Sequence, residues 1–110
     1  MTGPVQQVLR AMLEDAAVPR YGLEISKQAG LETGTLYPVM ARLEGVGWVE
    51  SHWEAPELSI ADGRPRRRYY QLTRDGAEQA RTALAEISGR REKRRSTLGS
   101  AWPAPLEGTP

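Results

Sequence analysis

Cysteine is absent from this chain, and with it go disulfides, thiolate metal ligands and cysteine nucleophiles. That usage agrees with a reducing compartment. Histidine is almost as scarce. His52 is the one imidazole among 110 residues, which excludes a histidine-rich metal centre. Glu50, Glu54 and Glu57 lie near it in sequence and offer no more than an adventitious cation site. A phosphate-binding loop is missing, as is any pair of carboxylates on one helix face within an obvious pocket. An enzyme is therefore not expected, and no catalytic residue, metal or cofactor is assigned. No apolar run approaches the ~18 residues of a membrane span. The N-terminus lacks the basic-then-apolar pattern of a secretory signal. The expectation is a cytoplasmic protein with no membrane partner.

The net charge is only +1, but it is unevenly spread. Residues 1–63 carry four basic and nine acidic groups, net −5, whereas residues 64–95 carry eleven basic and four acidic groups, net +7. Concentrated basic charge is what a polyanion-binding surface needs. The competing reading is a solvated charged face. Arg64, Arg66, Arg67 and Arg68 fall within five positions at an expected hairpin tip, which favours a surface facing phosphate. A chain of this length forms one domain. It buries only roughly 60–65% of its unfolded surface, so a second subunit would add stability.

Val5, Val8, Leu9, Met12 and Leu13 recur at helical spacing and predict a helix over roughly Pro4–Asp15. Pro19 breaks the chain, and Tyr21-Gly22 opens a second short helix running to about Ala29, with Gly30 as its C-terminal cap. Leu36, Val39, Met40 and Leu43 repeat the pattern for a third helix, capped by Thr33 or Thr35. Pro38 favours the later start, because proline is tolerated in a first turn and costly deeper in. The tight connection between helices two and three is that of a helix-turn-helix. Trp48–Trp53 and Arg66–Leu72 are expected to pair as a hairpin, with Ala55–Pro65 as a long loop at its tip. Thr73 then caps a last helix over about 74–95. Its narrow stripe of Ala77, Ala80, Leu84 and Ile87 suits a seam against another helix. Residues 96–110 have the glycine and proline content of a flexible tail.

The fold class expected is α+β, mainly α: a winged helix-turn-helix over residues 1–95. It has a three-helix core, a two-stranded wing and an additional C-terminal dimerisation helix. The segments Tyr21-Gly22-Leu23-Glu24-Ile25, Gly34-Thr35-Leu36-Tyr37-Pro38 with Arg42-Leu43-Glu44, and Gly63-Arg64-Pro65-Arg66-Arg67-Arg68-Tyr69-Tyr70 with Leu72-Thr73 and Gly76 resemble the PadR family of bacterial transcriptional regulators. The resemblance covers roughly residues 5–90. It implies a winged-helix homodimer that represses transcription, is often released by a small molecule, and works at the bacterial nucleoid. The single helix after the wing is similar to the small branch of that family. Trp48 stands where the family usually has leucine, and the last helix has no tryptophan inside it. That weakens any transfer of an aromatic drug-sandwiching site.

The expected partners are double-stranded DNA, a second copy of the chain and a small-molecule effector. Candidate DNA contacts on the third helix are Thr33, Gly34, Thr35, Tyr37, Pro38 and Arg42. Four of them have a plainer reading: capping for the two threonines, core cover for Tyr37, and pairing with Glu44 or its neighbours for Arg42. Arg64, Arg66 and Arg67 are the wing candidates, with Arg68 set to pair with a carboxylate such as Glu50. Lys27 and Gln28 on the second helix are weaker backbone contacts, as is Tyr21. Val5, Val8, Ala77, Ala80, Leu84 and Ile87 are assigned to the dimer interface. Trp48 is expected in the core, while Trp53 packs on the wing or faces a ligand cavity between subunits. The rival function keeps the fold as a protein-interaction module without sequence-specific DNA binding.

Overall fold

Apolar spacing decides the first three helices. In the computed structural model, which describes the backbone of residues 1–101 and the side chains of residues 1–94, α1 (Gly3–Leu13) turns Val5, Val8, Leu9 and Met12 inward. The Thr2 hydroxyl caps it by accepting from the Val5 N–H at 3.3 Å. α2 (Gly22–Ala29) ends at Gly30, whose φ of 71° is left-handed, so glycine fits there without strain.

α3 (Thr33–Gly45) starts earlier than Pro38 suggests. Glu32 holds the N-cap position with no side-chain cap, so neither Thr33 nor Thr35 caps the helix. The Glu32 carbonyl instead accepts from the N–H groups of Thr35 (3.0 Å) and Leu36 (2.9 Å). Pro38 consequently lies inside the helix. The N–H it lacks would have bonded the Gly34 carbonyl. Gly34 is exposed, so water can take that carbonyl and the cost is reduced.

β2 (Val49–Trp53) and β3 (Arg68–Leu72) form the wing hairpin, antiparallel, with Val49 opposite Leu72 and Trp53 opposite Arg68. Two features depart from expectation. β1 (Arg20–Tyr21) joins the far side of β3, with Arg20 opposite Tyr70, so the sheet has three strands in the order β1-β3-β2. The long loop expected over Ala55–Pro65 contains α4 (Pro56–Asp62), with proline in its first turn and Gly63 ending it at φ 64°.

The core gathers Val8, Leu9, Ile25, Leu36 and Met40 from the first three helices, Tyr70 and Leu72 from β3, and Ala77 and Ala80 from α5 (Arg74–Ala101). Thr73 begins α5. Its hydroxyl accepts from the Gly76 N–H at 2.9 Å and donates to the Gly47 carbonyl at 2.8 Å. α5 packs on α1 and β3. At ~1.5 Å per residue its 28 residues span about 42 Å. Molecular extents of 68 × 26 × 21 Å reflect that length. The helix extends past the boundary expected at residue 95, and the remainder of the expected tail, including Trp102, lies outside the described residues.

Candidate nucleic-acid interface

α3 divides cleanly by face. Leu36, Val39, Met40 and Leu43 are buried, while Thr33, Gly34, Thr35, Tyr37, Pro38 and Arg42 are exposed. Thr33, Gly34 and Thr35 occupy the first turn, where the helix end carries partial positive charge; the Thr35 N–H is taken by the Glu32 carbonyl. Tyr37 is 45% exposed, and its ring lies against Gly22 so closely that any Cβ there would collide with it. Glycine at that position lets α2 and α3 approach and sets Tyr37 beside the wing. Arg42 and Lys27 are exposed with no ion pair among the described residues. Glu44 is engaged elsewhere, accepting from Ser51 at 2.6 Å and pairing with Arg68 at 3.3 Å. Arg68 thus pairs with α3 and not with Glu50. Gln28 is also occupied, accepting from Arg20 at 2.7 Å.

The wing arginines are not equivalent. Glu54, 5% exposed, sits between β2 and α4. Its carboxylate accepts from two nitrogens of Arg64, at 2.5 and 3.2 Å, and from the backbone N–H of Arg67 at 2.8 Å. Its carbonyl accepts from Arg66 Nε (3.2 Å) and Nη2 (3.0 Å). The Arg64 guanidinium, and then the Arg67 amide, hold the Glu54 carboxyl below the usual carboxylate range against the opposing effect of burial. Arg64 also meets Asp62 at 3.2 Å. Arg66 is exposed and Arg67 partly so. Neither has a carboxylate partner for its guanidinium among the described residues.

Between the wing and the α2–α3 edge lies a cleft of about 530 Å³ lined by Tyr21, Tyr37, Trp53, Arg66, Arg67 and Tyr70, among others. Arg67 lies 4.1 Å over the Tyr21 ring, and Arg66 lies 5.6 Å over Trp53. Trp53 is 53% exposed and packs on the wing cations. Burial pushes the Tyr70 phenol up. The cleft therefore combines cations without carboxylate partners with flat aromatic faces, beside Tyr37 of α3. His52 stacks on Tyr69 at 5.8 Å, and no group of three potential metal ligands occurs among the described residues.

The residues assigned to a dimer interface separate in the same way. Val5, Val8, Ala77 and Ala80 are buried in the chain's own core. Leu84 packs partly against that core, and Ile87 is half-buried beyond it. Trp48 is likewise part-buried against the core. The residue that sequence reading missed is Glu54. Its only signal was a carboxylate ten positions before an arginine cluster.

Residues 9–82 match the family model described as the transcriptional regulator PadR-like family. Two solved structures illustrate the likeness. A PadR family transcriptional regulator from Eggerthella lenta DSM 2243 is 28% identical with a TM-score of 0.65, over 83% of this chain and 80% of that one. A PadR family transcription regulator from Clostridium difficile R20291 is 25% identical with a TM-score of 0.66, over 86% of this chain and 98% of that one. No curated protein matches the chain.

Proposed function

Because the chain belongs to the PadR-like family of transcriptional regulators, we propose that it is a repressor that reads an inverted-repeat operator as a homodimer. The observation that carries this reading is a juxtaposition. Tyr37, on the exposed face of α3, and the two wing cations without carboxylate partners, Arg66 and Arg67, border one cleft. In the bound state α3 enters the major groove with Thr33, Gly34, Thr35, Tyr37 and Pro38 leading, and those few side chains discriminate sequence. Arg66 and Arg67 grip flanking phosphates or a narrow minor groove. Arg42 and Lys27 fix the register by phosphate contact. Two α3 helices would have to stand about 34–36 Å apart to enter successive grooves.

Pairing through α5 supplies that spacing. Its support is the length of α5 and the half-buried Ile87 beyond the intrachain core. A cleft of about 350 Å³ between Trp48 and Glu78, Gln79, Thr82, Ala83 and Glu86 of α5 lies beside that seam. A small molecule bound there would alter the separation of the two reading heads and so release DNA.

The test is fluorescence anisotropy against DNA upstream of the protein's own gene, across a salt series, with Arg66→Ala/Arg67→Ala alongside. Each phosphate contact contributes about 0.9 to the slope of log K against log salt. The double variant is expected to flatten that slope by roughly 2. Binding with no preference over random DNA, and a slope the variant leaves unchanged, overturns the proposal. The protein-interaction reading has one feature in its favour: Leu58 and Ile60 of α4 are 55% and 76% exposed. That outcome of the titration would move it to first place.

A further inference from the structure

We propose that Glu54 sorts the wing arginines, holding Arg64 inward as part of the wing's frame and leaving Arg66 and Arg67 as its phosphate-facing cations. The proposal rests on the DNA-binding reading above and deepens it. Of the four clustered arginines the sequence offers three, Arg64, Arg66 and Arg67, as phosphate contacts, yet a carboxylate that is 5% exposed lies in their midst. Glu54 ends the β2 side of the wing and Arg64 follows α4, so their bidentate pair closes the α4 loop like a clasp.

Arg64 has little left to offer a phosphate. Its Nη1 donates to Glu54 and, at 3.3 Å, to the Pro65 carbonyl, while its Nη2 reaches Glu54 and its Nε reaches Asp62. Its side chain is 21% exposed. A phosphate would have to displace a fork-to-fork carboxylate from a desolvated position to engage it. Because the pair is neutral, Arg64 adds nothing to counterion release.

Arg66 and Arg67 meet the same residue differently. Arg66 donates to the Glu54 carbonyl, a neutral acceptor that orients the guanidinium and leaves its charge in place. Arg67 uses only its backbone N–H, so its guanidinium lies over Tyr21 at the cleft. All four arginines line the cleft, so what one carboxylate and its own carbonyl set is which of them keeps an uncompensated charge there. Arg68 is removed separately by Glu44 and Ser51. The wing presents two phosphate-seeking charges in a fixed geometry instead of four mobile ones, which limits indiscriminate binding.

Salt-series anisotropy on operator and random DNA, run on wild type, Arg64→Gln, Arg67→Gln and Glu54→Gln, tests this. Hydrogen exchange at the Arg67 amide in the free protein is measured in parallel. Arg67→Gln should flatten the salt slope by about 0.9. Arg64→Gln should weaken operator binding with the slope unchanged. Glu54→Gln should steepen the slope by about 0.9 as Arg64 is freed, narrow the preference for operator over random DNA, and speed Arg67 exchange. A slope lost in Arg64→Gln as in Arg67→Gln overturns the assignment. So does a Glu54→Gln protein with unchanged slope and exchange. Should Glu54→Gln fail to fold, the comparison of Arg64→Gln with Arg67→Gln decides by itself. A wild type without salt-dependent DNA binding sinks the DNA reading and this assignment together, whereas normal wild-type binding with either contrary result sinks this assignment alone.

Discussion

Arg20 takes its charge into the interior with no ion pair among the described residues. It is 7% exposed, and its guanidinium donates to the carbonyls of Ala11 (2.7 Å), Met12 (3.4 Å) and Asp15 (2.9 Å) and to the Gln28 side chain (2.7 Å). Those carbonyls belong to the end of α1 and the turn after it, where each already accepts one backbone N–H, from Glu14 (3.4 Å), Asp15 (3.4 Å) and Val18 (3.1 Å), and where the helix end carries partial negative charge. Arg20 therefore does for α1 what a C-terminal cap would do, and it also fixes the two residues of β1 onto β3. Hydrogen bonds to charged groups contribute about 1.5–3 kcal/mol each in mutational series. Arg20→Met is expected to lower unfolding stability by about 2–3 kcal/mol, read from the midpoint of urea denaturation. Arg20→Lys should recover only part of it, because a compact ammonium cannot span acceptors on both sides of the fork. A methionine variant as stable as wild type would show that water satisfies those carbonyls equally well.

The elements that sequence made legible are those whose signal is local. α1 and α3 carry their apolar residues at helical spacing, Gly30 ends α2 as expected, and Thr73 caps α5. The exposed face of α3 follows from the same periodicity, so most of the candidate reading surface was visible before any coordinates. α4 was not, since seven residues are too few to show a stripe. Pro56 and Gly63, which read as loop residues, are in fact its two end signals. β1 escapes notice because two residues form a strand only where an existing edge of β3 receives them. Partner choice is the other blind spot. The sequence offers Glu50 across the hairpin as the partner of Arg68, but the carboxylate it finds, Glu44, comes from α3. The junction of wing and α5 hides one more constraint. A Cβ at Gly76 would run into the backbone of Trp48, and backbone cannot step aside as a side-chain end can. Gly76→Ala, nominally helix-favouring, is expected to destabilise by about 1–3 kcal/mol in thermal or urea unfolding. A gain in stability instead would mean that α5 shifts freely against β2.

At the scale of the whole molecule, the question is what α5 is for. A single small domain has little need of a 28-residue helix, and among the described residues the intrachain core engages α5 at its start, through Ala77 and Ala80 with Leu84 at the margin. The exposed residues that follow are mostly charged, and the half-buried Ile87 is the one large apolar side chain past Leu84 among the described side chains. That distribution separates folding from pairing. Val8 and Ala80 are 0% exposed within one chain, so changing them tests the fold. Ile87 lies past the core, so changing it tests association. Ile87→Asp is expected to keep the helical circular dichroism signal and the core intact while turning a dimer into a monomer by light scattering. Linking two binding heads raises apparent affinity by about 10²–10⁴ when geometry lets both engage. The same variant should therefore lose on the order of 100-fold or more in affinity for a full operator, and much less for a single half-site. Loss of full-site affinity alone, in proportion to monomer formation, would tie DNA recognition to pairing through α5. An Ile87→Asp protein that remains a dimer of undiminished affinity would place the two-fold contact elsewhere on the chain.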